Sequence, residues 1–426
     1  MAYRTKTNLA QTVANTSYKK TTLSNGIRVI SEEIPTVKSA SIGIWINTGS
    51  RNESQETNGI SHFIEHMMFK GTKKRNYLQI AQSLESVGGY MNAFTTKEHT
   101  CYYARVLDEY VEHAVDVLGD MVQNSIFPIK EMEKEKTVVL EEIKRSEDDP
   151  DDVVHEYFEK HLFGEHPFGR AIIGTAENII RFSQNDLFAY TKRFYTNENI
   201  ILTAAGNLKH EQLVRLAEKY LTAKRKSSER PAAFSPSKQK QFLKEYTKPI
   251  QQAHLCTGTL AFDIHHKLRY PGLVMNSVLG DGMSSRLFQQ IREKHGLAYS
   301  VYSFLSMMNE AGAFGIYVGT DKKMVKNALE LSYKELEKIK STPLKKSELQ
   351  RAKAQLKGSM LMSLESTSNR MMRLGSGELY FGEYKTLDSI VKSIDAVTAE
   401  DVQKVANQLF EIDKFTTVVL SPEVKN

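Results

Sequence analysis

Two stretches near the start of the chain repeat their apolar residues every second position. Ile27-Arg28-Val29-Ile30 opens the pattern, and Ser41 to Asn47 sets Ile42, Ile44 and Ile46 on one face with Trp45 on the other. A period of two predicts sheet strands. Thr22-Leu23-Ser24-Asn25-Gly26 reads as a hairpin turn before the first, and Thr48-Gly49-Ser50 ends the second. The period then changes. Ile60, Phe63, Ile64, Met67 and Met68 fall all round a helix that must be largely buried against a sheet and is stopped by Gly71. A second helix over 78–87 ends at Gly88-Gly89, and an antiparallel strand pair covers 90–95 and 100–106. Helices follow over 111–123 and 129–160, the latter interrupted by the acidic run at 147–152. A strand at 200–205 and a helix at 211–221 close this half.

Residues 222–241 are rich in Lys, Ser and Pro and poor in apolar side chains, the composition of a linker. Beyond it the order of patterns repeats: a strand at 253–260, helices at 270–278 and 286–294, strands at 297–304 and 314–318, and a helix at 325–339. At 426 residues the chain is too long for one core. The expectation is an α+β fold of two similar domains, 18–221 and 242–426, each a mostly antiparallel sheet covered by helices. Residues 1–17, polar with Arg4 and Lys6 and no acid, are expected to be a disordered extension or leader.

Composition narrows the class. Hydrophobic residues at 40% and charged residues at 25% are those of an ordinary globular protein, and no apolar run approaches the ~18 residues of a membrane span. The net charge of +6 is spread among acids and not gathered into a stripe, which speaks against nucleic acid. Cys101 and Cys256, far apart and each within a strand pattern, read as buried thiols of a reducing compartment. The bacterial cytoplasm is expected, with the mitochondrial matrix as the alternative.

Candidate chemistry lies on the buried helix. His62, Glu65 and His66 form H-x-x-E-H, and offsets of three and four residues place all three on one helix face. Two imidazoles one turn apart suit zinc, and the intervening Glu can hold a water instead of the metal and act as general base. A third ligand is needed. The helix from 129 to 145 offers Glu131, Glu133, Glu135, Glu141 and Glu142; Glu135 and Glu142 share a face, but periodicity does not choose between Glu141 and Glu142.

The run HFIEHMMFKGT at 62–72, together with VVLEEI at 138–143, resembles the pitrilysin/insulinase (inverzincin) family of zinc metallopeptidases, in its mitochondrial-processing-peptidase-like branch. The resemblance extends from about Tyr18 to Pro422. It implies that Glu142 is the third ligand, that Glu135 supports the site without ligating, and that Glu65 is the catalytic base. It further implies an edge strand over Asn92, Ala93 and Phe94 that pairs with an extended peptide, and Phe69 as the floor of a pocket beyond the scissile bond. Asp152 and Glu156 would receive an Arg of the substrate, Asp152 being shorter than the Glu of the pattern. In the second half, Arg292 and Tyr299 match the family's pair that donates to the substrate carbonyl and backbone. The adjacent His265 and His266 cannot share a helix face and make no second metal site.

The expected activity is therefore a zinc-dependent endopeptidase acting on short or unfolded peptides, favouring Arg near the cleavage site, in a chamber between the halves. Four-domain members of the family carry the Arg/Tyr pair in the last domain and zinc in the first. A two-domain chain is on that ground expected to act as a homodimer. The alternative expectation is a non-catalytic structural or chaperone-like subunit of the same fold, against which stands the complete set of metal residues.

Overall fold

The structure is a computed structural model that describes residues 17–223, 233–235 and 240–423. Residues 1–16 of the expected leader and most of the 222–241 linker lie outside the described residues. The first elements are β1 (Ser17–Thr22), β2 (Arg28–Glu33), β3 (Ser39–Ile46), α1 (Ile60–Met68), α2 (Tyr77–Glu85), β4 (Tyr90–Thr95), β5 (Thr100–Leu107), α3 (Val111–Asn124), α4 (Ile129–Asp148) and α5 (Pro150–Phe163). Next come α6 (Ala176–Arg181), α7 (Gln184–Phe194), β6 (Ile200–Gly206), α8 (His210–Tyr220), β7 (Phe242–Lys248), β8 (Ala253–Ala261) and α9 (Arg269–Gly280). A π-helical segment over Phe288–Lys294 leads to β9 (Ala298–Met307), β10 (Gly312–Thr320), α10 (Val325–Ser341) and α11 (Lys346–Ser363). The chain closes with α12 (Thr367–Phe381), α13 (Leu387–Ala396), α14 (Ala399–Leu409) and β11 (Thr416–Pro422).

Two compact units result. The first takes residues up to 139, then 172–231 and 363–390; the second takes 140–171, 232–362 and 391 onward. They are not the consecutive halves 18–221 and 242–426. The linker does separate the strands of one sheet from those of the other, but a helix from each half has been exchanged. A sheet with apolar side chains on both faces needs helices on both, and nothing in local composition says which helix will cover which face.

In the first unit the sheet order is β1-β2-β6-β3-β5-β4, antiparallel except for the β2/β6 pair. Strand β3 is central and buried along almost its whole length, because α12 packs on β2, β3 and β6 while α3 packs on β3 and β5 and α8 on β2. Trp45 faces α12 among Ile30, Cys101, Ile201, Met371 and Leu374, and its Nε1 donates to Thr203 Oγ1 at 2.9 Å. Alternation sends Ile42, Ile44 and Ile46 to the other face. Helix α12 approaches so closely that a Cβ on Gly375 would sit 2.1 Å from the indole. Its Glu378, with 2% of its side chain exposed, is bound by Lys20 at 2.7 Å and Arg28 at 3.0 Å. Removing both cations would leave a buried unpaired carboxylate, at a cost of about 3–5 kcal/mol.

In the second unit the order is β7-β11-β8-β10-β9, with the β7/β11 pair parallel and the rest antiparallel. Helix α5 packs on β8 and β11, burying Val154 and Phe158 among Cys256, Tyr317, Val418 and Leu420. Helix α9 packs on β9, and α10 and α14 pack together and on β10 and β8. Both cysteines are buried free thiols. Among the described residues no helix is long and apolar enough to cross a membrane. Two local expectations change. Helix α1 ends at Met68 with Phe69 as its cap, before Gly71 is reached, and the helix expected at 286–294 is π-helical over Phe288–Lys294.

Candidate metal centre

Helix α1 starts at Gly59, whose φ of +98° is a left-handed conformation that a side chain resists, and where a Cβ would lie 2.7 Å from Ile173 O. With no side chain of its own to cap the helix, Gly59 is served by Glu53. One carboxylate oxygen accepts from Gly59 N at 2.8 Å and Asn58 Nδ2 at 3.0 Å, and the other from Ser61 N at 2.8 Å. Burial pushes the Glu53 carboxyl up, against these hydrogen bonds, which draw it down. Ser61 Oγ in turn meets Tyr190 OH at 2.7 Å. A buried acid thus fixes the first turn of the helix, where the dipole favours negative charge.

One turn on, the residues of the motif emerge. Phe63, Ile64, Met67 and Met68 are buried, while His62, Glu65 and His66 are half-buried on the remaining face. The two imidazole rings lie with centroids 4.7 Å apart. Burial, reinforced by the neighbouring His66 ring, pushes the His62 imidazole down to about 4, so it is neutral at pH 7 with a lone pair to offer. His66 Nδ1 bonds Glu135 Oε1 at 2.9 Å, and Lys70 Nζ lies 2.6 Å from Glu135 Oε2. Burial would raise the Glu135 carboxyl, but the bonds from His66 and Lys70 outweigh it and hold it below the usual carboxylate range. A carboxylate only accepts, so Nδ1 carries the proton and Nε2 is the nitrogen His66 can give to a metal.

Helix α4 carries Glu135 and, two turns on, the exposed Glu142. Periodicity alone leaves Glu141 and Glu142 open; the fold separates them. His62, His66 and Glu142 each offer one ligand atom, and these atoms all lie within 4.8 Å of one another. Glu141 is instead paired with Lys144 at 2.7 Å on the exposed side of the helix. Among the described residues no other such trio of His, Cys, Asp or Glu occurs. Two imidazoles and a carboxylate, with one His oriented by a buried acid, are a donor set that fits zinc.

Glu65 belongs to the same face, and its Oε2 accepts from Thr95 Oγ1 at 2.5 Å. Thr95 is the last residue of β4, the terminal strand of its sheet, which carries Asn92 exposed and Ala93 and Phe94 half-buried. Phe69, at the end of α1, is half-buried. In the second unit Arg292 lies over the rings of Phe288 at 4.8 Å and Tyr299 at 4.9 Å, and Tyr299 is 77% exposed. On α5, Asp152 is exposed and Glu156 half-buried. Their neighbour Asp151 is engaged instead, accepting from Tyr302 OH at 3.2 Å and lying 3.1 Å from His155 Nδ1.

Four supporting residues escaped the sequence reading. Glu53 carried one signal, an acid shortly before a helix start. Lys70 and Thr95 carried none, since each acts across elements, and Ser61 looked like an ordinary first-turn residue.

The family profile described as insulinase (peptidase family M16) matches residues 28–176, and that described as the peptidase M16 inactive domain matches residues 181–356. A Bacillus subtilis protein named uncharacterized zinc protease YmxG is 43% identical over 404 residues, covering 95% of this chain and 98% of that protein. An uncharacterized zinc protease of Streptomyces coelicolor is 38% identical over 399 residues, covering 92% and 87%. The crystal structure of a protease from Helicobacter pylori shares the fold, with a TM-score of 0.89 at 22% identity, covering 96% of this chain and all of that one.

Proposed function

Since the chain belongs to the insulinase family of peptidases, peptidase family M16, we propose that it is a zinc-dependent endopeptidase that hydrolyses short or unfolded peptides bound as an extended strand. The observation that carries this reading is the convergence of His62, His66 and Glu142 within 4.8 Å, with Glu65 on the same helix face. His62, His66 and Glu142 would hold the ion, and Glu135 keeps His66 in the tautomer that can ligate. Zinc, when bound, supplies Lewis acidity that brings the pKa of a water toward neutrality. Glu65 takes the proton of the attacking water and returns it to the leaving amine. Strand β4 is a sheet edge, so a peptide can add to it through backbone bonds whatever its side chains, with Asn92, Ala93 and Phe94 along it and Phe69 beneath the residue beyond the cut.

The test separates base from ligand. Glu65→Gln is expected to keep one zinc per chain and lose hydrolysis by about three orders of magnitude or more, whereas His62→Ala and Glu142→Ala lose both metal and activity. Metal analysis and mass mapping of products from a mixed peptide pool read the two properties. A metal-free or fully active Glu65→Gln would refute the assignment.

The proposal extends to assembly and place. Arg292 and Tyr299 are a cation and a phenol suited to an oxyanion, and Tyr299 is exposed, as a donor serving a second copy in a homodimer would be. Mixing Glu65→Gln with an Arg292→Ala, Tyr299→Phe double variant under subunit exchange then restores activity above either parent; no recovery despite exchange excludes it. Two buried free thiols suit the bacterial cytoplasm.

A further inference from the structure

The hydroxyl of Thr95 is bonded to the one carboxylate in the motif that the metal does not need. Its position is not left to the strand alone. Thr96 N donates to His99 O at 2.8 Å and closes the β4–β5 turn. The segment after β3 grips that turn from the side, with Ser50 N donating to Thr96 O at 3.2 Å and Arg51 N to Lys97 O at 2.7 Å. Arg51 and Glu98 form a 2.9 Å ion pair with 5% and 6% of their side chains exposed. Gly49 permits the approach, since a Cβ there would lie 2.3 Å from Thr96 O. Two residues beyond Arg51 is Glu53, which fixes the first turn of α1. One short segment, 49–53, therefore anchors both the strand end that carries Thr95 and the helix that carries Glu65.

We infer that Thr95 is a positioning residue for Glu65. Its hydroxyl donates to Oε2 and holds the carboxylate in the rotation that serves the reacting water. Because Thr95 ends the strand to which a peptide adds, it ties the placement of the base to the register of that strand. This rests on the reading of Glu65 as the base. A carboxylate without this bond would still lie beside the site but would be correctly aimed for only part of the time, and misplacement of about 1 Å can cost on the order of 100-fold in rate.

The experiment uses the full zinc-loaded chain and a neutral peptide that the wild type cleaves. Thr95→Val keeps the shape and strand preference and removes the hydroxyl; Thr95→Ala is its control, and Thr95→Ser restores the donor. The expected result is a kcat lowered about 10–100-fold in Val and Ala, KM within about two-fold, zinc stoichiometry unchanged, and Ser within about three-fold of wild type. Adding Thr95→Val to Glu65→Gln should cost nothing more, since the group it positions is gone. A Val variant with wild-type kcat, a loss confined to KM, a Ser variant as impaired as Val, or a further loss in the double variant would each overturn the inference while leaving the peptidase reading intact. A wild-type chain that binds zinc and cleaves no peptide would overturn both.

Discussion

Strip β1 from the first sheet and its order, β2-β6-β3-β5-β4, is that of the second, β7-β11-β8-β10-β9, down to the single parallel pair. The helices that follow β3 and β8 nevertheless do different work. Helix α9 settles flush on its sheet. Its small residues take the contact, for a Cβ on Gly272 would lie 2.7 Å from the Phe262 ring and one on Gly280 would lie 2.0 Å from Ser303 N. Helix α1 stands instead on Phe63, Ile64 and Met67 and turns a half-buried polar face outward. Around it lie buried or half-buried acids, each held by named partners, Glu53 by backbone amides and Glu135 by His66 and Lys70. The same scaffold thus tolerates an apolar helix with little support or a chemical one with a great deal, and the support is what distinguishes the units.

The largest expected effect tests that claim at the helix starts. Glu53→Ala strands two backbone amides at the buried start of α1 and should cost about 3 kcal/mol in urea denaturation. The counterpart in the second unit is His266, whose Nδ1 accepts from Leu268 N at 3.2 Å at the start of α9. His266→Ala should cost under about 1 kcal/mol. Equal losses would mean that the two helices lean equally on their caps. Next in size, Glu135→Gln removes the acid that orients His66, and zinc affinity measured by chelator competition should fall about 10–100-fold with little change in stability. The smallest effect belongs to the second unit. If Asp152 and Glu156 receive a substrate Arg, as we propose, Asp152→Asn with Glu156→Gln should erase a several-fold preference for Arg near the cleaved bond, worth about 1 kcal/mol, while neutral peptides are cut as before. An unchanged preference would return both acids to plain surface.

What could be read from the sequence is what local pattern encodes. The helix that carries the H-x-x-E-H residues, its face, the antiparallel hairpin after it and three of the five strands of the second sheet all follow from periodicity and from glycines at turns, whereas β7 and β11 and the order of the strands do not. Helix α14 carried a start signal that went unread, Thr398 and Asp401, which cap one another. Glu142 was half legible from the residues themselves: helical spacing admitted Glu141 as well, the family resemblance chose Glu142, and the fold sets Glu142 beside the histidines. The two faces of β3 show the limit. Its alternation of Ile42, Ile44 and Ile46 suggests one core, but Trp45 belongs to a second core built with Met371 and Leu374, more than three hundred residues away. Thr95 and Lys70 were illegible for the same reason, because a hydrogen bond between elements leaves no period in the chain.

That distant contact bears on how the molecule is made. A ribosome delivers the chain from its N-terminus, and the first sheet remains open on its Trp45 face until α12, ending at Phe381, has emerged. Glu378 reaches Lys20 and Arg28 no sooner. The nascent first half must therefore wait, with an apolar sheet face uncovered, through most of synthesis. A gene cut at the linker would give a fragment containing His62, His66 and Glu142 yet lacking the helix that closes its own core. Supplying the missing half in trans, rather than shortening the chain, is the route by which such a fragment could be completed.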